Sequence, residues 1–329
     1  MNQAIPESPG ADPPAAPKGP FGVLLRRFGP WIITVACFGY LYARIAGEAS
    51  RKGTTAAAYL GGIFASVDWL AWLGLMVPYS LLYFLIDTAV LWRVVSWFNT
   101  HVPYRDLFPV RASTYIISIL NEQVGKGAIA LYLNRRNGVP AWQVGGSMLF
   151  IMFCEFYYLL SWALIGSLVS WQAVPEIFHA IPLIFAGALI FFGIFYAAFR
   201  SREGLGRGFR ERQIFTAFRQ ARLHQYLTVI LLRSPALLLA VFVYSRAAAL
   251  FGVEIGLVQM LGVLPVIFFG TLIPGPFRAA AVTLWPTLFP DHAAEMTAFG
   301  FVQHNFFVLF NAAIGLLFLR RANRELFGS

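Results

Sequence analysis

Residues 111–136 read RASTYIISILNEQVGKGAIALYLNRR, and the fold turns on how they are taken. A polar core, Asn121-Glu122-Gln123-Val124-Gly125-Lys126-Gly127, separates two apolar arms, Ala112–Leu120 and Ala128–Leu133. Each arm is far shorter than the roughly 20 residues a helix needs to cross a bilayer. In a water-soluble protein the stretch is simply a loop between two helices. In a membrane it predicts a re-entrant hairpin, whose arms enter from one side, turn at Gly125-x-Gly127 and leave by the same side. Such backbone is tolerated at membrane depth only where protein or a water-filled cavity surrounds it.

The rest of the chain decides between these readings. Of its 329 residues, 58% are hydrophobic and only 12% charged, against about 25% charged in soluble domains. Together with a mean hydropathy of +0.66, this predicts an all-α polytopic integral membrane protein. A net charge of +10 raises nucleic acid as a partner, but the basic residues sit between apolar runs. That is the pattern of loops facing anionic lipid, so membrane lipids are the expected partners. Cys37 and Cys154 both lie inside apolar runs and read as small buried hydrophobes, not as a disulfide. Residues 1–28 carry no apolar signal region and are rich in Pro and Ala near the start, which predicts a disordered tail ahead of a transmembrane domain over 29–329.

Working outward, the full-length apolar runs are Trp31–Ala46, Trp69–Phe98, Ala141–Trp171, Glu176–Phe199, Tyr226–Leu250 and Met296–Leu319. A second pair of short apolar pieces, Leu257–Leu272 and Ala279–Leu288, is joined through Ile273-Pro274-Gly275-Pro276. Lys18, Arg26, Arg27, Arg105, Arg135, Arg136, the 200–222 block and the C-terminal arginines fall on one side if both short pairs return to their own side. Only Arg51 and Lys52 then fall on the other. By the bias of Lys and Arg toward the cytoplasm, both termini are expected to be cytoplasmic, in an inner-membrane protein.

The same layout predicts two units, over 69–171 and 223–319. Each is a span, a short-armed hairpin and a span, with a basic loop over 200–222 between them. Inverted units with Gly- or Pro-broken helices in matching positions are a sequence pointer to a transporter site near the midplane.

Within that frame Asn121, Glu122, Gly125, Lys126 and Gly127 are candidate substrate-binding residues of the first hairpin, and Pro274, Gly275 and Arg278 of the second. Glu122 and Lys126, at i and i+4, form an acid-then-base pair on a helix; the plainer reading is two hydrated groups in a shallow turn. Arg278 opens a short helix, where a cation is unfavourable unless it shares an anion with the helix N-terminus; the plainer reading is an arginine reaching for the interface. Asp87, Glu155, Arg233 and Arg246 interrupt apolar spans, which predicts interior positions with partners, Glu155 pairing with Arg233 or Arg246. His304, between Gln303 and Asn305, reads as helix-to-helix glue.

These residues resemble the polytopic flippase-like proteins related to the membrane domain of lysylphosphatidylglycerol synthases. The likeness rests on Asn121, Gly125, Gly127, Arg135, Arg136, Gly138 and Glu155 in the first half, and on Pro274, Gly275 and Arg278 in the second. It spans roughly Trp69–Leu319, with Pro276 where a second Gly is usual and Ala279 where a Glu is expected. The resemblance implies translocation of an anionic or zwitterionic lipid headgroup between leaflets.

Two other readings stay open at this level, an intramembrane transferase acting on a lipid phosphate and a membrane scaffold held through the 200–222 loop. Signatures of catalysis are missing. Gly125-Lys126 lacks the remainder of a P-loop, and there is no His-Glu-x-x-His, no paired Cys at metal spacing and no Gly-x-Ser-x-Gly. No catalytic residue, metal or cofactor is therefore expected.

Overall fold

The computed structural model of the chain describes residues 20–118, 122–201, 208, 211–273 and 278–327; for 20–30, 117–118, 122–126 and 320–327 it describes the backbone alone. Every regular element among them is helical: α1 (Pro20–Arg51), α2 (Ala56–Ser66), α3 (Trp69–Phe98), α4 (Tyr104–Ser118), α5 (Glu122–Asn137), α6 (Ala141–Val169), α7 (Ile181–Arg200), α8 (Thr216–Gln220), α9 (Leu223–Ala249), α10 (Leu257–Leu272), α11 (Ala279–Leu288) and α12 (Ala293–Phe327), with single 3₁₀ turns before α7, α8 and α12. The helix α1 begins at Pro20, upstream of the boundary at 29 that composition suggests, and residues 1–19 lie outside the described residues.

Six segments among the described residues are long and apolar enough to span a bilayer: Trp31–Arg51, Trp69–Phe98, Ala141–Val169, Glu176–Arg200, Leu223–Ala249 and Pro290–Leu319. The chain is thus an all-α, multi-pass membrane protein. The hairpin arms are another matter. At 1.5 Å per residue, the 15 residues of α4 and the 10 of α11 extend only about 22 Å and about 15 Å, short of a hydrocarbon core of about 30 Å. In each case the partner arm packs back on it, α5 on α4 and α11 on α10. Three spans, α6, α7 and α9, separate the two hairpins, so the hairpins enter from opposite faces.

The helix contacts repeat when the two units are exchanged. The two most extensive contacts are those of α12 with α4 and of α6 with α10, in which the closing span of each unit lies on the first hairpin arm of the other. Glycine makes both crossings close. A Cβ on Gly315 of α12 would sit 2.4 Å from the Ala112 carbonyl oxygen of α4, and one on Gly166 of α6 only 2.3 Å from that of Leu261 in α10. Small residues drive helix association in lipid because dispersion there depends on close approach. The opening spans α3 and α9 pack on each other, and α5 and α11 each pack on the closing span of their own unit. The repeat inferred from layout is therefore also a repeat of packing, with few matching residues.

One expectation is corrected here. The first hairpin does not turn at Gly125-x-Gly127, because α5 already starts at Glu122 and both glycines stand in its first turns. The first arm ends at Ser118, and residues 119–121 lie outside the described residues. Glycine within a helix costs only about 1 kcal/mol, and Ile129, Tyr132 and Leu133 are fully buried along α5. Packing of that face outweighs the local preference.

Candidate functional site

The opening and closing spans of both units converge, with α10 and the start of α11, on an internal cavity of about 50 Å³, space for a few waters. From α3 come Tyr79, Tyr83 and Asp87, spaced four residues apart and therefore on one stripe of the helix. Glu155 and Tyr158 come from α6, Arg233 and Tyr244 from α9, and Thr271 from α10; Arg278 lies just before α11, and His304 and Phe307 are on α12. Glu155 stands midway along α6.

A chain of ion pairs forms one wall. Asp87 Oδ2 accepts from Arg111 Nη2 at 2.6 Å and Arg111 Nε at 2.7 Å, and from the Tyr115 hydroxyl at 2.8 Å. Asp87 Oδ1 accepts from Arg233 Nη2 at 3.3 Å, and Arg233 Nη1 reaches Glu155 Oε1 at 3.2 Å. Arg111 belongs to the first hairpin, so the network ties that hairpin to α3, α9 and α6. Charges removed from water this far demand partners, and here two carboxylates hold two guanidiniums. Arg233 is the looser member, with both contacts beyond 3 Å and a buried Nε that has no hydrogen-bond partner.

Arg278 faces this network from the second hairpin. It has no carboxylate within ion-pair distance among the described residues, and its guanidinium lies 5.6 Å from the ring centroid of Phe307. Its backbone is left-handed, with φ 49° and ψ 37°, and it is the N-cap residue of α11. An L-residue pays about 1–2 kcal/mol there, and the N-terminal dipole of α11 adds positive potential beside the guanidinium. Beside it, His304 is buried, and its Nε2 accepts the Trp285 indole N–H at 3.2 Å. Indole nitrogen can only donate, so the imidazole is the neutral tautomer with its N–H on Nδ1.

Of the residues singled out by sequence, Asp87, Glu155, Arg233, Arg278 and His304 meet at the cavity. Gly127 is exposed near the start of α5, and a Cβ there would touch nothing within 4 Å. Glu122, Gly125 and Lys126 lie in the same first turns, where only the backbone is described; Asn121, Pro274 and Gly275 fall outside the described residues. Glu155 does pair with Arg233. Arg246, expected inside, is instead exposed in the last turn of α9, with its guanidinium 5.7 Å from the Phe242 ring centroid. A side chain that near a helix end can reach the interface and needs no buried partner.

The residues missed by sequence are Arg111, which opens the hairpin stretch, and the tyrosines. For Arg111 the signal was available, since a charge inside an apolar segment marks an interior position by default. The stripe of Tyr79, Tyr83 and Asp87 was equally legible as i, i+4, i+8.

A second polar cluster sits where α1, α2 and α12 meet. The Tyr59 hydroxyl lies 2.7 Å from Glu295 Oε1 and 3.0 Å from Glu48 Oε1, and Lys52 Nζ also bonds to it. Glu48 Oε2 accepts the backbone N–H of Ala294 at 2.9 Å, an anion at the N-terminus of α12. Burial, then the two carboxylates with Glu295 foremost, push the Tyr59 phenol well above its ordinary range. This cluster fastens α1 and α2 to the second unit.

No family model, curated protein or solved structure matches the chain.

Proposed function

We propose that this protein translocates an anionic or zwitterionic lipid headgroup between the leaflets of a bacterial-type inner membrane, as a divergent flippase-like protein. One observation carries the reading: two hairpins entering from opposite faces flank a cavity lined by Asp87, Glu155, Arg233 and Arg278, and among the described residues Arg278 has no carboxylate within ion-pair distance. A guanidinium in low dielectric beside a helix N-terminus is stabilised by an anion, and a phosphate accepts two parallel N–H bonds from it. The acyl chains stay in lipid while the headgroup crosses. Lys126 and Glu122, in the first turns of α5, are assigned the cytoplasmic approach, with Glu122 competing for Lys126 so that release is not held back. The Nδ1–H of His304 adds a neutral donor near Arg278, and Glu155 keeps Arg233 from gripping the phosphate too firmly. The distribution of Lys and Arg supports cytoplasmic termini.

The test is transbilayer movement of fluorescent phospholipids in proteoliposomes containing wild type, Lys126→Ala or Arg278→Ala. The expected result is movement faster than in empty vesicles, reduced at least ten-fold by Arg278→Ala. Equal rates in every sample, across a panel of headgroups, would refute the reading.

A further inference from the structure

The cavity wall carries two groups of opposite charge whose bonding capacity the protein leaves open. Both oxygens of Asp87 are taken, Oδ2 by Arg111 and Tyr115 and Oδ1 by Arg233. Glu155 differs. Among the described residues only Arg233 Nη1 reaches it, on Oε1 at 3.2 Å, and its side chain keeps 17% of its surface accessible. Oε2 is therefore a carboxylate oxygen at the cavity without a donor. Tyr158 follows Glu155 by three residues on α6, and Tyr83 precedes Asp87 by four on α3, so each shares its neighbour's helix face. Neither hydroxyl makes a hydrogen bond among the described residues. Arg278 is the open cation. Its guanidinium lies 5.6 Å from the Phe307 ring centroid, and that ring in turn lies 4.7 Å from the ring of Tyr83.

Resting on the translocation reading, we infer that the cavity takes a phosphodiester carrying a primary ammonium, as in a phosphoethanolamine headgroup. The phosphate sits on Arg278, which donates to it in parallel, and the ammonium sits on Glu155. An ammonium brings three N–H donors and no acceptor. Glu155 Oε2 and the hydroxyls of Tyr83 and Tyr158 are the acceptors that match them.

Two related headgroups fit less well. A trimethylammonium has the charge but no N–H, so it meets the carboxylate and the tyrosine ring faces and leaves the acceptors unbonded, where the cost of burial lies. The cavity, with space for a few waters, also suits a compact ammonium better than one bearing three methyl groups. An alkyl tail goes further and leaves Glu155 shut away from water beside no new cation.

The experiment compares phosphatidylethanolamine, phosphatidylcholine and phosphatidylpropanol, all carrying the same fluorescent acyl chain. Phosphatidylpropanol differs from phosphatidylethanolamine only in a methyl group where the ammonium stands. Rates above empty vesicles are measured at pH 7 in proteoliposomes of wild type and Glu155→Gln. Wild type should move phosphatidylethanolamine about ten-fold faster than phosphatidylpropanol, the scale of a hydrogen bond to a charged group, with phosphatidylcholine between them. Glu155→Gln should bring the ethanolamine and propanol rates together. Should Glu155→Gln fail to fold, the three wild-type rates decide by themselves. Phosphatidylpropanol or phosphatidylcholine moving as fast as phosphatidylethanolamine in wild type overturns the ammonium site, as does an ethanolamine-to-propanol ratio unmoved by Glu155→Gln. In each of those cases lipid still moves and the translocation reading stands. No movement of these three or of any other headgroup above empty vesicles overturns that reading itself.

Discussion

Replacing Asp87 by Asn keeps the shape of the side chain and removes the one carboxylate that both Arg111 and Arg233 share. Asp87 is only 6% exposed and receives four donors, from Arg111 Nε at 2.7 Å, Arg111 Nη2 at 2.6 Å, the Tyr115 hydroxyl at 2.8 Å and Arg233 Nη2 at 3.3 Å. An amide offers one acceptor oxygen and turns two donors toward guanidiniums that have nothing to accept with. Among Asp87, Glu155, Arg111 and Arg233 the charges balance in the wild type; the substitution removes one of the two negative charges. Removing one partner of a buried pair costs about 3–5 kcal/mol, a large share of a stability of about 5–15 kcal/mol. The companion experiment is the double variant Asp87→Asn/Arg111→Gln. It restores neutrality and leaves Arg233 on Glu155, so it should recover about 1–3 kcal/mol of coupling. Asp87→Asn/Arg233→Gln should recover less, because it also takes from Glu155 its guanidinium. Unfolding in mixed micelles, followed by tryptophan fluorescence and circular dichroism, measures wild type, the singles Asp87→Asn, Arg111→Gln and Arg233→Gln, and the two doubles. A single variant within 1 kcal/mol of wild type, or a first double variant whose loss equals the sum of its singles, would show that the network does not hold the units together.

Gly166→Leu should lower unfolding stability by more than about 3 kcal/mol, since even its Cβ would lie 2.3 Å from the Leu261 carbonyl oxygen; a melting temperature like that of wild type would show that the crossing of α6 and α10 is not close. Arg278→Gly should be about 1 kcal/mol more stable than Arg278→Ala, because φ 49° suits glycine, while both lose headgroup movement; equal stabilities would argue against the left-handed cap. Tyr59→Phe should cost about 1–3 kcal/mol near neutral pH by leaving Glu295 and Glu48 without the hydroxyl. The sign above that range follows from the raised phenol. The unfolded chain releases the Tyr59 proton near pH 10 and the folded chain holds it, so wild-type stability falls as pH rises past 10. In the Phe variant that decline should be shallower, and an identical slope in unfolding titrations would remove Tyr59 from the account.

The amino-acid sequence alone determined that this chain lives in a membrane, because span length and hydropathy are local properties and a bilayer imposes one thickness on every helix. It also determined where the hairpins lie, since arms as short as α4 and α11 cannot cross whatever they pack against. The interior positions of Asp87, Glu155 and Arg233 followed for the same reason, a charge in an apolar run being costly unless it faces protein. Partner choice did not follow. Glu155 had Arg233 and Arg246 as equal candidates, and only the packing of α6 against α9 put Arg233 within 3.2 Å while Arg246 stayed exposed near a helix end. The start of α5 was also a tertiary matter, because buried Ile129, Tyr132 and Leu133 carry it through glycines that local propensity would use for a turn. The cavity itself could not be read from any one stretch. It exists because the closing span of each unit crosses the hairpin of the other, and such long-range contacts depend on surfaces brought together from distant parts of the chain.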